Sequence, residues 1–402
     1  MQKSKNQLNR RRFLFSAGAL GFSGLFPVLS WGTEKETVTA DVPVLKAGPY
    51  IQSKGKGEMT IRWITSFPCY SWVEYGKQAG QTDKKAESVS DGLIDAYQTV
   101  HAITIKKLPA GETCYYRICS KVIEKFNPYK IIFGETYTSP VYSFNPIDKQ
   151  VGKVSFLVFN DIHDRPESFG HLLQFQKSDK KDFILLNGDI FSDLEDENQI
   201  VEHLLNPLSD TFRETPFIFS RGNHETRGKF ARHLPDYFNR GEKGFYYSFM
   251  AGPAYCIVLD SGEDKPDDNA EYFGLVKFDP YRMKQQEWLE KEIKKKSFKK
   301  AKYKLVFCHI PPFYSGDGHG TLQCRELWNG LFNEAKIDLL IAGHTHVYGI
   351  HQPEKGQHNY PIVIGGGPKD GARTVIEVNA DSHSLHLILT ADDGKVKGEL
   401  TI

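Results

Sequence analysis

The sequence predicts an α/β fold, two sheets packed face to face with helices outside, preceded by an all-β sandwich. A change of rhythm carries most of this. From residue 42 to 147 the chain reads as short alternating strands and turns with no helical period. From 152 to 402 apolar runs of strand length alternate with amphipathic helical stretches. Length agrees: 402 residues exceed one ordinary domain, so two domains behind a leader fit.

The leader occupies residues 1–32. Arg10, Arg11 and Arg12 precede Phe13-Leu14-Phe15, and a run rich in Gly, Ala and Ser continues to about Ser30. That run is too short and mild for a membrane span and reads as an export signal. It resembles a twin-arginine signal, which implies a periplasmic or secreted protein that folds before crossing. A general secretory signal or an uncleaved anchor are the other readings. Val38-Thr39-Ala40 is one candidate cleavage site, and no integral membrane segment is expected after export.

In the β region, Met59–Ile64 and Ser71–Tyr75 alternate in and out, as do Thr99–Ile105, Cys114–Ser120 and Val141–Phe144. About seven short strands in a hundred residues suggest a β-sandwich. In the second region, strands are expected at Val154–Phe159, Phe183–Leu186, Pro216–Phe219, Tyr255–Leu259, Lys304–Cys308 and Leu339–Ala342. Helices are expected at Ser168–Lys177, Asn198–Leu208, Tyr281–Lys295 and Leu322–Asn333, with hairpin-like strands from Pro361 onward. Such runs read as buried, mostly parallel strands.

Composition excludes some functions. With 51 basic and 50 acidic residues the chain carries no electrostatic footprint for nucleic acid. The densest basic run, Lys294–Lys304, reads as a solvated helix face and loop. Six scattered cysteines with no C-x-x-C pair argue against a zinc–thiolate site or a disulfide scaffold. One or two long-range disulfides stay open, although Cys114 and Cys119 face opposite sides of one strand and cannot bridge locally.

The chemistry sits at strand ends, where open α/β sheets bind ligands. In order they read Asn160-Asp161-Ile162-His163, Asn187-Gly188-Asp189, Arg221-Gly222-Asn223-His224-Glu225, His309-Ile310-Pro311 and Gly343-His344-Thr345-His346. Each alone is an ordinary turn sequence. Together, five ends that each supply an oxygen or imidazole donor make a metal-binding constellation, and the absence of thiolates suits Fe, Mn, Zn or Co. A pair of such ions about 3.5–4 Å apart can clamp a phosphate and acidify a water. The glycines at 188, 222 and 343 are expected to let the chain turn sharply into the site.

This ordered set, D-x-H, G-D, G-N-H-D/E, a lone H and G-H-x-H, resembles the calcineurin-like metallophosphoesterase family over residues 154 to 367. The resemblance implies that Asp161, His163 and His346 hold one metal ion and Asn223, His309 and His344 a second, with Asp189 bridging. It implies that His224 is no ligand but the general acid for the leaving alkoxide. Glu225 is read as the partner of a histidine. The β region resembles the fibronectin-III-like N-terminal domain of purple acid phosphatases. His319, ten residues past His309 in the loop Ser315–Gly320, matches the offset of a substrate-contacting histidine there. Arg165 and Arg227 are weaker phosphate contacts.

The chain departs from the purple enzymes in two places. They carry Tyr three residues after the bridging Asp, where this chain has Ser192, and they tend to carry Gly where it has His163. The expected activity is hydrolysis of phosphate esters, with monoesters preferred: the His319 loop and the β domain favour monoesters, and His163 favours diesters. The rivals are a diesterase of the same fold and a phosphate-ligand binding protein without turnover.

Overall fold

The computed structural model describes residues 42–55, 57–148, 151–177 and 180–402. The expected leader and the cleavage candidate at 38–40 lie outside the described residues. Beyond them, Pro43–Ile402 forms one compact unit.

Strand Val154–Phe159 shows how the layers arise. Every second side chain faces a different layer, and all but Ser155 are buried. Phe156 and Val158 point into a core shared with Cys256, Leu305, Phe307 and Ile341 of the other sheet. Leu157 and Phe159 point outward, onto Phe169, Leu172, Ile200 and Phe212 of the covering helices. The second sheet repeats the pattern: Ile257, Val306 and Leu340 face Leu289, Trp328 and Phe332 of the long helices Phe278–Glu292 and His319–Ala335. The result is a helix–sheet–sheet–helix sandwich, as expected.

Parallel registers bring the strand ends to one edge. Phe159 pairs with Leu186, Asn187 with Ser220, and Phe307 with Ile341. The sequence reading missed strand Tyr247–Ala251, which pairs antiparallel with Ala254–Val258 at the rim of the second sheet. It also simplified the tail. Ile362–Ile364 runs parallel to Leu339–Ala342, whereas the meander Thr374–Ala380, Leu385–Ala391, Val396–Thr401 joins the first sheet beside Val154–Phe159. Helix 198–208 is shorter than expected, an α turn Glu197–Ile200 leading into a wider π turn Val201–Leu205.

The N-terminal region is strand-rich. The two strands expected at 59–64 and 71–75 are one, Met59–Gly76, irregular between Ile64 and Cys69, where Pro68 has no N–H to give a ladder. Its first half pairs with Leu45–Gln52 and Ala96–Ile105, its second with Cys114–Asn127. Trp63, Ile61, Val73, Ile103 and Tyr116 fill the space between. This region is welded to the rest: Gln52 pairs with Phe217, and Arg62 donates to Asp236 O and Asn239 Oδ1. All six cysteines are buried free thiols, so no disulfide contributes.

Candidate metal centre

The five strand ends converge. Asp161, His163 and His346 offer ligand atoms within 4.8 Å of one another, and so do Asp189, His309 and His344. In the first group, Nε2 of His346 lies 3.2 Å and Nε2 of His163 3.7 Å from Asp161 Oδ1. In the second, Nε2 of His309 lies 2.9 Å from Asp189 Oδ2. Nδ1 of His344 lies 3.0 Å from Asn223 Oδ1. Asp189 Oδ2 also lies 3.6 Å from His163 Nε2, so it stands between the groups.

Two buried atoms there, Asp161 Oδ1 and His309 Nε2, have no hydrogen-bond partner. A buried polar atom left unpaired costs roughly 1–3 kcal/mol, which a bound cation would offset. The donor set of carboxylate, amide and imidazole fits such a cation. Electrostatics agrees. Burial alone would raise Asp161, but His309, His163 and His346 hold it well below the usual carboxylate range. Burial opposes charge on His309, yet Asp189 and Asp161 carry it up to about 10. His344, half-buried and facing His309, falls to about 4.

The backbone is strained where it presents these groups. Asp161, His163, Asp189, His344 and His346 all have left-handed φ, between 49° and 73°, as does Asp164 at 56°. Each costs on the order of 1 kcal/mol or more and persists only where the surroundings enforce it. The three motif glycines serve two purposes. Gly188 does take a left-handed φ of 86°. At Gly222 and Gly343 the reason is room instead: a Cβ would stand 2.3 Å from Asp189 Oδ1 and 2.4 Å from Asp161 Oδ2 respectively.

All five motifs fall within residues 154–348, which match the family of calcineurin-like phosphoesterases. This segment is similar to calcineurin-like phosphoesterase domains. Across a longer span the chain is 24% identical to probable purple acid phosphatase 20 of Arabidopsis thaliana, over 79% of this chain and 72% of that one. It is 23% identical to acid phosphatase type 7 of Mus musculus, over 83% and 76%. Among solved structures, a purple acid phosphatase from yellow lupin seeds superposes with a TM-score of 0.69 at 16% identity, covering 89% of this chain and 75% of that one. That likeness extends the shared fold across the strand-rich N-terminal region.

Around the phosphoesterase centre, several residues sit where the sequence did not place them. Glu225 partners no histidine. Its buried carboxylate accepts the backbone N–H groups of Asp189, Ile190, Phe191 and Gly222, at 2.6–3.2 Å, bracing two ligand loops at once. Burial and the neighbouring Asp189 push it up to about 7. Asn160 Nδ2 donates to Asp161 Oδ2 at 2.7 Å, and Asp164 accepts from Ser192 N and from His203 Nδ1, each at 2.7 Å. None of these had a signal of its own beyond lying next to a ligand.

His224 joins a third group with His163 and Asp189. Its Nδ1 is committed to Ser192 O at 2.6 Å, and the Arg227 guanidinium lies 3.0 Å from its Nε2. Its Nε2 also lies 4.0 Å from Asp189 Oδ2, at the edge of the metal-ligand cluster. Arg227 is in turn held by Glu263, at 3.0 Å. Burial lowers the His224 pKa, and the Arg227 charge lowers it further. The Arg165 side chain is exposed and donates to Pro368 O. The expected loop around His319 is corrected: Gly318 caps helix His319–Ala335, and His319 Nε2 lies 2.7 Å from Asp279 Oδ1.

Proposed function

We propose that the chain hydrolyses phosphate monoesters at a pair of metal ions held by the phosphoesterase domain. The coarser reading, a metal-dependent hydrolase of phosphate esters, rests on the domain match and the acid phosphatase relatives together. The observation that carries the pair is Asp189 Oδ2 standing between His163 and His309. In this reading Asp161, His163 and His346 hold one ion, Asn223, His309 and His344 the other, and Asp189 bridges. Fe, Zn, Mn and Co are the candidates. Once bound, the ions supply Lewis acidity to the phosphate and to a water.

The side chains around them do the rest. Ser192 O accepts from Nδ1–H and fixes the His224 ring, so Nε2 is the second nitrogen, and in the imidazolium form it is the atom that can hand a proton to the leaving alkoxide. Arg227, oriented by Glu263, places a guanidinium beside that atom, where it can bind a phosphoryl oxygen. We place His319 further out, where Asp279 orients it toward the outer part of the ester. Residues 42–147 make up a β domain of fibronectin-III type packed against the catalytic domain of residues 152–402, behind a leader that exports the protein. Among the described residues no helix is long and apolar enough to cross a membrane.

A side-by-side assay of the metal-loaded protein on p-nitrophenyl phosphate and on bis-p-nitrophenyl phosphate tests the reading. Higher kcat/KM on the monoester supports it. Preference for the bis-ester makes the chain a diesterase, and no turnover of either makes it a binding protein.

A further inference from the structure

Next to the strand end that carries Asn223 and His224 lies a second cavity, of about 440 Å³. It opens between the segment after that strand and the start of helix Phe278–Glu292. Its floor is Arg221, two residues ahead of Asn223. This guanidinium is 16% exposed, bonded to the buried Asp260, and lies 5.0–6.0 Å from the ring centroids of Phe245, Phe278 and Tyr281. Around it stand Arg232, Arg240, Lys243, Lys277 and Lys284, all exposed. No residue lining the cavity is acidic.

Among the described residues, none of these five cations has a carboxylate partner. Elsewhere some lysines are paired, Lys229 with Glu195 and Lys295 with Glu292, so what marks this cavity is the clustering of five cations with no acidic residue in its lining. In a chain with 51 basic and 50 acidic residues, five unneutralised cations around one concave, partly apolar surface is a local excess rather than a general bias. Clustered charge in a cleft with low-dielectric walls concentrates anions, and guanidinium and ammonium groups match phosphate oxygens.

We propose that this cavity takes a second phosphate group of the substrate, so that the preferred esters carry phosphates at both ends of an apolar carbon skeleton. The proposal rests on the reading of the neighbouring centre as a phosphate-ester hydrolase and names its substrate class. One phosphate occupies the metal centre. The other is held by the five cations, and the rings around Arg221 pack the skeleton between them.

The test uses α,ω-alkanediol bisphosphates of increasing length and the monophosphates of equal length, on the wild type and on the triple variant Lys243→Gln/Lys277→Gln/Lys284→Gln. All three positions are exposed, and unchanged thermal melting verifies the variant's fold. At the length that spans the two sites, wild-type kcat/KM for the bisphosphate should exceed that for the monophosphate by about tenfold, mainly through KM. The advantage should shrink with added salt and vanish in the triple variant, with monophosphate hydrolysis unchanged. Bisphosphates that are no better at any length, or an advantage that survives in the variant, overturn the proposal. If the metal-loaded chain hydrolyses no ester, the hydrolase reading fails, and calorimetry with the longest bisphosphate decides about the cavity. Weaker binding to the variant than to the wild type supports it, and equal binding overturns it.

Discussion

The Nε2 atoms of His163 and His346 face each other at 3.2 Å across a gap that also holds Asp161 Oδ1. A neutral imidazole has one N–H, and Asp161 Oδ1 receives no hydrogen bond at all. Three lone-pair donors directed at one point, all three on left-handed backbone, are what a cation satisfies and what a hydrogen-bond network does not.

His224 follows from that frame as the proton donor. His224→Ala should leave the metal content unchanged and lower kcat by roughly 10²–10⁴ on alkyl phosphates. The loss should be smaller on p-nitrophenyl phosphate, whose leaving group needs little protonation. Steady-state kinetics on the two ester types, with elemental analysis of the same preparations, checks this. Equal losses would move His224 into a purely positioning role.

Glu225 carries a different load. Its carboxylate accepts four backbone N–H groups from the two loops that present Asp189 and Asn223. Glu225→Gln keeps the shape but replaces one oxygen with an amide donor. The stranded N–H groups should cost on the order of 3 kcal/mol of stability and lower metal affinity at least tenfold. Denaturant unfolding and metal titration measure both.

How far the sequence revealed the site depends on which atoms do the work. The seven proposed ligands were legible because their side chains follow apolar strands and keep company with motif glycines. Glu225 was not, because its partners are backbone N–H groups of another loop 34–36 residues away, and a backbone group leaves no mark in a sequence. The start of helix His319–Ala335 was hidden for a related reason. Gly316 and Gly318 read as loop, and the helix begins with no side-chain cap. In the β region the alternation of Met59–Ile64 and of Ser71–Tyr75 is interrupted by a stretch that contains Pro68, so one strand reads as two. The chain instead tolerates Pro68 as an irregularity between Ile64 and Cys69.

Stability at acid pH should depend on His101. Burial lowers its pKa from 6.5 to about 4, and it stacks on Trp63 with Nε2 3.0 Å from Thr65 Oγ1. A depressed histidine binds its proton more tightly when unfolded. Its contribution is therefore full above pH 6.5, declines as pH falls from 6.5 to about 4, and changes no further below that. The whole span is worth about 3 kcal/mol. Denaturant unfolding at both ends of the window should show a smaller pH-dependent loss for His101→Gln than for wild type.

Colour separates this centre from that of the purple enzymes. Ser192 stands three residues past Asp189, and its backbone groups bond to Asp164 and His224. A serine hydroxyl has no low-energy π donor for charge transfer to ferric iron. The iron-loaded protein should lack an intense visible band, and its pH optimum should lie nearer neutral than strongly acidic. Absorption spectroscopy checks the first point. A strong tyrosinate-like band would remove His163 from the proposed ligand set.

The most direct test is the metal stoichiometry of active protein, by elemental analysis of wild type and Asp189→Asn. Asp189 Oδ2 lies 2.9 Å from His309 Nε2 and 3.6 Å from His163 Nε2, so its charge serves both proposed sites. The account predicts two ions per wild-type chain. It predicts the loss of at least one ion from Asp189→Asn, with activity reduced on the order of 10²-fold or more. Full activity with one ion or none, or a variant that keeps both ions and full turnover, would contradict it.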